Sequence, residues 1–182
     1  MKGRRKRRIL NSAEIARALS RISHEILERN KGPDNLVIVG IPEPGPFLAA
    51  RICANINEAE GVEVPIGRLD ITFHRDDIAA KPSPMPKGTD LPFDVQGKTV
   101  VLVDDVLFTG RTVRAAMDAL VDHGRPDKVQ LAVLVDRGHR ELPVRADFVG
   151  RNIPTGQFEQ IHVLLTEMGE DEDRVLITEG EL

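Results

Sequence analysis

Cysteine and two of the aromatic residues are nearly or wholly missing from this sequence of 182 residues, which has only Cys53 and neither tryptophan nor tyrosine. One thiol cannot form an internal disulfide and lacks the partners of a zinc site, so a bound metal would need oxygen ligands. No apolar run approaches the ~20 residues that a membrane helix requires. No apolar segment follows the basic N-terminus, so no signal peptide is predicted. We therefore expect a cytoplasmic protein without membrane contact.

Positive charge is concentrated at one end of the chain. The net charge is −4, yet the opening segment "MKGRRKRR" has six basic residues in eight positions. A terminal charge run of this kind is typical of a solvated tail and can also contact phosphate backbones. Residues 1–8 are predicted to form a disordered basic arm. The 41% hydrophobic content suffices for a sizeable core, so residues 9–182 are predicted to form a single domain.

Helical and strand patterns alternate along the chain. Asn11 with Glu14 three residues later forms a capping pattern, and Gly32 with Pro33 ends the helix that follows. Short apolar runs predict strands at residues 36–41, 68–73, 99–105 and 128–136, and helices at 47–61 and 111–124. Residues 74–94 are proline-rich and predict a long flexible loop, and the C-terminal segments "QIHVLLTEM" and "DRVLITEG" predict a hairpin. The alternation predicts an α/β fold with a mostly parallel central sheet flanked by helices.

The stretch "VLVDDVLFTGRT", residues 101–112, places two adjacent carboxylates where a buried strand ends. In a parallel sheet, ligands collect at this edge. The turn that follows has threonine hydroxyls, a glycine and the N-terminus of the next helix, which together favour a phosphate group. Asp104 and Asp105 can accept hydrogen bonds from two vicinal hydroxyls or hold a divalent metal. The spacing therefore predicts a site for a ribose 5-phosphate.

Receiver domains of response regulators also have an acidic pair after an apolar strand. Their pair lies near the N-terminus, and no threonine-glycine turn follows it. Here the pair comes after a hundred residues and leads into Thr109–Thr112. The order of features thus favours the sugar-phosphate site.

The same stretch resembles the phosphoribosyl-diphosphate signature of the type I phosphoribosyltransferases. Further segments, above all "VDRGHRELP", resemble the bacterial regulators of pyrimidine biosynthesis that also have uracil phosphoribosyltransferase activity. This resemblance covers residues 9–178. It implies the type I phosphoribosyltransferase fold with a flexible hood loop over the site and a C-terminal hairpin. The implied assembly is a homodimer or homotetramer.

The resemblance implies a reaction in which uracil and phosphoribosyl diphosphate (PRPP) give UMP and pyrophosphate, with Mg²⁺ as the cofactor held by Asp104 and Asp105. It places the ribose hydroxyls on these two residues, and Arg75 on the hood loop is a candidate ligand of pyrophosphate. The implied residues that bind PRPP or UMP are Asp104, Asp105, Val106, Leu107, Phe108, Thr109, Gly110, Arg111, Thr112, Glu43, Pro44 and Gly45.

Two positions depart from the family pattern. The family has a Thr-Arg-Gly turn for pyrophosphate where this chain has Glu43-Pro44-Gly45, so a carboxylate replaces a cation and proline removes an N–H donor. Phe108 and His74 stand where the family has tyrosines. The altered turn keeps open a catalytically weak or silent RNA-binding nucleotide sensor. A phosphoribosyltransferase for another base is a further alternative.

The resemblance also implies a regulatory role, in which the protein binds the leader mRNA of the pyrimidine operon in response to UMP or UTP and promotes transcription attenuation. Phosphate contacts from basic side chains would make this affinity sensitive to salt, and unpaired bases would supply specificity. The implied RNA-binding residues are Ser20, Arg21, His24, Arg29, His139, Arg140, Arg145 and Arg151.

Overall fold

Eight strands and three helices alternate along the residues that the structure describes. The structure is a computed structural model, and it describes residues 6–76 and 86–179. The elements are β1 Lys6–Asn11, α1 Ser12–Asn30, β2 Leu36–Gly40, α2 Gly45–Glu60, β3 Ile66–Arg68, β4 Thr99–Leu107, α3 Arg111–Val121, β5 Lys128–Asp136, β6 Phe148–Asn152, β7 Glu159–Leu164 and β8 Arg174–Glu179. Two short 3-10 helices cover Thr72–His74 and Thr166–Met168.

Five strands form a parallel sheet in the order β3-β2-β4-β5-β6. The central strand β4 pairs with β2 from Leu36 opposite Thr99, and with β5 as far as Leu107 opposite Asp136. Strand β4, helix α3 and strand β5 form the predicted βαβ unit. Because all five strands run the same way, the segments that follow β2, β4 and β5 meet at one edge of the sheet.

Helices cover both faces of this sheet. Helix α1 begins at the predicted capping box, in which Asn11 and Glu14 exchange side-chain and backbone hydrogen bonds of 2.9 Å. Its buried stripe packs with α2 against alternate strand residues such as Val101, while Leu102 belongs to a second apolar cluster that includes residues of α3. The predicted parallel sheet between helices is confirmed. None of the described helices is both long and apolar enough to cross a membrane.

A second, antiparallel sheet joins the two ends of the described chain in the order β1-β8-β7. Strands β7 and β8 form the predicted C-terminal hairpin. Strand β1 adds to its edge, with Lys6 opposite Thr178, and this corrects the predicted boundary of the N-terminal arm. Residues 6–8 of the predicted arm belong to a strand, because the basic "KRR" segment gains backbone partners in a strand distant in sequence. Residues 1–5 of the predicted arm lie outside the described part.

Two further expectations about the strands were wrong. The segment 68–73 is not a strand, since β3 ends at Arg68 and a 3-10 helix begins at Thr72. Asp70 causes the change, because its carboxylate accepts hydrogen bonds from the N–H and hydroxyl of Thr72 and turns the chain. Strand β6, which contains Gly150, was not predicted at all. Part of the predicted hood loop, residues 77–85, lies outside the described residues.

Candidate active site

The acidic pair lies in the second half of strand β4, toward the carboxyl edge of the parallel sheet. Asp104 is 5% exposed, and Asp105 is half-buried. Each carboxylate accepts a hydrogen bond from the next backbone N–H in the chain, Asp104 from Asp105 at 2.9 Å and Asp105 from Val106 at 2.8 Å. These bonds fix the orientation of both side chains. The pair is therefore preorganised toward the ligand edge of the sheet.

Ionisation of this pair is costly in the folded protein. Burial raises the pKa of Asp104 well above its ordinary value, and the adjacent charge of Asp105 raises it further. Burial also raises the pKa of Asp105, against the hydrogen bonds that stabilise its charged form. A ligand that brings hydroxyl donors or a cation to the pair would relieve this cost.

The turn between β4 and α3 presents backbone donors. Gly110 takes the left-handed conformation with a φ of 94° and, as the N-cap residue of α3, has no side chain to cap the helix. The Arg111 N–H donates to the Thr109 hydroxyl at 3.4 Å. The N–H groups of such an uncapped turn are available to an anion. A side chain on Gly110 would also approach Val144 to 3.1 Å, so glycine suits both the conformation and the space. The structure thus places Thr109–Thr112 at the turn from β4 into α3, on the chain segment that follows the acidic pair.

Arg111, a predicted phosphate ligand, has its guanidinium engaged in two ion pairs. It lies 2.5 Å from the carboxylate of Asp76 at the start of the hood loop and 2.7 Å from that of Glu141. The turn therefore offers phosphate mainly backbone N–H and threonine hydroxyl groups. The arginine joins the turn to the hood loop instead.

The predicted pyrophosphate turn, Glu43-Pro44-Gly45, packs directly against the middle of β4, at Val103 and Asp104. A side chain on Gly45 would stand 2.7 Å from the Val103 carbonyl oxygen, so only glycine allows this approach. The Glu43–Pro44 peptide bond is cis. The Glu43 carboxylate does not stand alone, because the Lys87 ammonium lies 2.6 Å from it. The chain thus supplies from the hood segment a cation that the turn itself lacks.

A cavity of about 310 Å³ opens beside this turn. Arg75 and Lys87 both line this cavity. Arg75 is the residue predicted as a pyrophosphate ligand. Asp70 shapes the wall, since its carboxylate accepts the backbone N–H groups of Lys87 and Gly88 at 2.7 and 2.9 Å. Burial opposes ionisation of Asp70, but its hydrogen bonds with Thr72, Gly88 and Lys87 outweigh burial and lower its pKa. The other residues around the cavity are Pro42, Pro46, Phe47, Arg68, Leu69, Ile71 and Thr72, together with Glu43.

Two arginines after β5 also reach the site, and the sequence did not assign either to the nucleotide pocket. The Arg137 guanidinium lies over the Phe108 ring, 4.0 Å from its centroid. Arg140 donates to the Phe108 carbonyl oxygen at 2.8 Å and pairs with Asp136 at 2.5 Å. The charged residue that ends the apolar run "LAVLVDR" is the sequence feature that could have indicated Arg137 as a site residue. Both arginines brace or flank the signature turn.

The predicted RNA-binding residues fall into two groups. Most lie on α1 and at or near strand β6, which pack together, and Arg21 joins them by donating to the Val149 and Gly150 carbonyl oxygens at 3.1 and 2.6 Å. In the same group Arg29 pairs with Asp147, and Arg151 pairs with Glu14. His139 and Arg140 form the second group, beside Phe108 at the nucleotide edge. The members of the first group are Ser20, Arg21, His24, Arg29, Arg145 and Arg151.

Comparison with known proteins gives the family. The model of the phosphoribosyl transferase domain family matches residues 6–166. A relative from Geobacter sulfurreducens named bifunctional protein PyrR is 60% identical over 169 residues, which are 92% of this chain and 96% of the relative. A protein of the same name from Listeria monocytogenes serotype 4b is 56% identical over 177 residues, covering 95% of this chain and 97% of that protein.

Solved structures agree on the fold. The hypoxanthine phosphoribosyltransferase of Trypanosoma cruzi has a TM-score of 0.69 at 18% identity, with 96% of this chain and 97% of that chain covered. A hypoxanthine phosphoribosyltransferase from Staphylococcus aureus has a TM-score of 0.63 at 17% identity, with 85% and 80% covered. At such low identity these likenesses concern the type I phosphoribosyltransferase fold alone, which confirms the predicted fold class. With the high identity to its PyrR relatives, the chain belongs to the phosphoribosyltransferase family and, within it, to the bifunctional PyrR proteins.

Proposed function

We propose that this protein transfers the phosphoribosyl group of PRPP to uracil and regulates pyrimidine biosynthesis through the pyrimidine-operon mRNA. One observation carries the enzymatic part: the buried acidic pair of β4 leads directly into an uncapped helix N-terminus at the ligand edge of a parallel sheet. Close relatives named as bifunctional PyrR proteins support the pairing of enzyme and regulator.

The roles of the residues follow from their chemistry. Asp104 and Asp105 accept hydrogen bonds from the two ribose hydroxyls. These hydrogen bonds replace the solvation that the carboxylates lost on burial. Thr109–Thr112 hold the 5-phosphate with backbone and hydroxyl donors, and Val106, Leu107 and Phe108 form the connecting segment. The diphosphate then points toward Gly45, with Arg75 and Lys87 along the cavity. The bound sugar is thereby fixed at both ends.

Phosphoribosyltransferases generally use Mg²⁺ with PRPP, and the donor set here fits that use. Within the described residues, no group of three or more His, Cys, Asp or Glu side chains could hold a metal. Asp104 and Asp105 would hold Mg²⁺ jointly with oxygens of PRPP, which suits a hard cation that keeps few protein ligands. When bound, the metal supplies charge neutralisation for the leaving pyrophosphate.

In the reaction, the bond from C1 of the ribose to pyrophosphate breaks as uracil N1 approaches the same carbon. The reacting carbon becomes cation-like, so the protein acts mainly by positioning and by stabilising charge. The acidic pair holds the ribose hydroxyls and thereby orients the reacting carbon of the same ring. The hood segment around Asp76 and Lys87 is tied to both turns, which favours exclusion of water that would hydrolyse the activated sugar.

The direct test is UMP formation from uracil, PRPP and Mg²⁺ by the purified protein, with UMP binding measured by calorimetry on the same sample. We expect turnover together with UMP binding. Tight UMP binding without turnover would refute the transferase and leave a nucleotide sensor. Turnover with hypoxanthine in preference to uracil would identify a transferase for another base.

The proposed RNA surface is the face formed by α1 and β6, extended by His139 and Arg140. Exposed His24 and Arg145 belong to this face. Their neighbours anchor the helix, Arg21 to strand β6 and Arg29 to Asp147 just before that strand. Arg140 also holds the Phe108 carbonyl oxygen, which physically connects the face to the nucleotide site. UMP or UTP would act through that connection. We propose action in the cytoplasm, where operon transcripts are made, as a homodimer or homotetramer.

His24→Ala tests the RNA surface. We expect weaker binding of pyrimidine-operon leader RNA, with UMP binding unchanged, because His24 bonds only to the Ser20 carbonyl oxygen within the described residues. Glu28→Gln, at an exposed position on the same helix, is the matched control. Unchanged RNA affinity in a filter-binding assay would remove His24 from the proposed interface.

The sensor alternative keeps one supporting observation, the carboxylate of Glu43 in the pyrophosphate turn. A negative charge at that point opposes a diphosphate that carries several charges of the same sign. The ion pair with Lys87 reduces this repulsion. The turnover assay decides between the two functions.

A further inference from the structure

A groove of about 340 Å³ lies between strand β1 and the carboxyl end of strand β6. Each of these strands is the outer strand of its own sheet, so the groove lies where the edges of the two sheets come together. The described residues that line it include none of the acidic pair, the signature turn or the pyrophosphate turn. They are Arg7, Arg8, Ile9, Arg151, Asn152, Ile153 and Pro154.

Strand β1 presents consecutive residues to this groove, which a regular strand does not do. Side chains of neighbouring residues in a strand point to opposite faces. Here Arg8 and Leu10 pair with consecutive residues of β8, so Ile9 is the extra residue of a bulge. A bulge twists its strand and re-aims the side chains beside it. The bulge is thus the local feature that lets Arg7, Arg8 and Ile9 line one groove.

Three guanidinium groups give the groove a positive charge. Arg8 pairs with Glu172 at 3.2 Å and Arg151 with Glu14 at 3.5 Å, and 55% and 51% of the two arginine side chains are exposed. Arg7 forms no ion pair with any other residue that the structure describes. Exposed ion pairs contribute little free energy, so a phosphate can readily take the place of either carboxylate. All three arginines are therefore accessible to an anion.

The groove continues the proposed RNA surface. Arg151 belongs to both, and its partner Glu14 lies in the first turn of α1. Helix α1 begins directly after β1, so the two arginines of the strand lead into the helix of that surface. The five residues before Lys6 include three basic residues and no acidic one, which extends the positive charge in the sequence. A polyanion that lies along α1 and β6 would meet this groove next.

The chemistry of the groove fits an RNA backbone better than a single small phosphate. None of its lining residues is buried, so it lacks the enclosed donors that hold one small anion. Exposed cations gain affinity for a polyanion through release of its condensed counterions, and arginine donates two parallel hydrogen bonds to phosphate oxygens. Basic residues on an edge strand can also hinder pairing with other chains, but that role predicts no effect on RNA.

We propose that the groove between β1 and β6 binds the phosphate backbone of the leader RNA, with Arg7 and Arg8 as phosphate ligands beside Arg151. This inference rests on the proposed RNA-binding function and adds to it a contact region outside the residues that the sequence resemblance assigns. Contacts to phosphates carry no base information, so they strengthen the binding of every RNA alike. Selection of the leader stays with the other residues of the proposed RNA surface.

Arg7→Gln with Arg8→Gln tests the groove, by filter binding of leader RNA at several salt concentrations. We expect the affinity to fall roughly 10-fold at about 0.1 M salt. The slope of log affinity against log salt should become shallower by about 1.4, or about 0.7 for each lost phosphate contact. An unrelated RNA of the same length should lose affinity by the same factor. Arg7→Lys with Arg8→Lys should keep most of the affinity, because lysine also binds phosphate.

Two controls separate direct contact from net charge and from folding. Arg125→Gln with Lys128→Gln removes the same charge from exposed positions at and before the start of β5, and should leave RNA affinity nearly unchanged. Glu172→Gln breaks the ion pair of Arg8 but keeps both arginines, so we expect RNA binding as tight as in the wild type or tighter. A defect in either control as large as that of Arg7→Gln with Arg8→Gln would overturn the inference.

Measurements on the wild type separate this inference from the proposed function. If the wild type selects leader RNA and Arg7→Gln with Arg8→Gln shows the same affinity and salt slope, the groove inference fails and the proposed function stands. If the wild type binds leader RNA no better than unrelated RNA, the regulatory function fails and this inference fails with it. Calorimetry should give the same UMP affinity for both proteins. A parallel loss of UMP binding would mean that the two arginines act through the fold, which also overturns the inference.

Discussion

Two turns flank the acidic pair, and they are built in opposite ways. The turn after β4 joins continuous sequence from Asp104 to Thr112 and ends in an uncapped helix N-terminus, so nearly all its donors are local. The turn after β2 offers a carboxylate and a proline, and its nearby cation, Lys87, comes from a segment more than forty residues away. Phosphate binding is therefore local in sequence here, whereas the charge on the pyrophosphate side depends on tertiary contacts.

Replacing both acids of the pair, Asp104→Asn with Asp105→Asn, should give the largest effect. We expect PRPP binding to fall at least about 100-fold, since each lost charged hydrogen bond contributes roughly 1.5–3 kcal/mol. Calorimetry with PRPP measures this loss. Asp118→Asn, an exposed position on α3, is the control. Unchanged PRPP affinity would show that the acidic pair of β4 does not hold the ribose.

The same double variant should be more stable than the wild type at neutral pH. Both acids have a pKa raised mainly by burial, so their ionisation stabilises the unfolded state more than the folded state. Wild-type stability should therefore fall as pH rises from the ordinary carboxyl pKa through the raised folded pKa, and the variant should lack this fall. Thermal melts of both proteins across that pH range measure this difference. If melting temperature depended on pH in the same way for the wild type and the variant, the raised pKa of the two acids would be contradicted.

Rebuilding the weaker turn, by Glu43→Thr with Pro44→Arg, should raise turnover by about 10-fold. The change removes a charge that repels the diphosphate and adds one that attracts it, and roughly 1.4 kcal/mol of transition-state stabilisation corresponds to this factor. Steady-state kinetics with PRPP varied provides the measurement. The absence of any gain would mean that Lys87 and the backbone at Gly45 already compensate for the altered turn.

Lys87→Met should give the smallest effect of these changes. Lys87 and Glu43 are both partly exposed, and an exposed ion pair contributes about 0.2–1 kcal/mol. We expect the KM for PRPP to rise about two- to threefold. Because the cation acts by offsetting Glu43, Lys87→Met should have less effect when Glu43→Gln is already present. Equal effects in both backgrounds would show that Lys87 acts independently of Glu43.

Local patterns were sufficient for the framework and for half of the site. Apolar runs and the capping box identified α1, the β4-α3-β5 unit and the C-terminal hairpin, because these depend on neighbours in sequence. The order of Asp104, Asp105 and Thr109–Thr112 predicted their proximity for the same reason. The segment 68–73 was predicted wrongly because the Asp70 side chain competes with strand hydrogen bonds.

The sequence by itself determined an α/β phosphoribosyltransferase with an acidic pair and a phosphate turn at one edge of its sheet. Only the tertiary structure decided that residues 6–8 belong to a strand, that Lys87 lies against Glu43, and that Arg137 is buried on Phe108. These contacts join segments far apart in the chain, and their geometry depends on how the two sheets and the helices pack. Charge balance around the two turns of the site is therefore a property of the folded molecule.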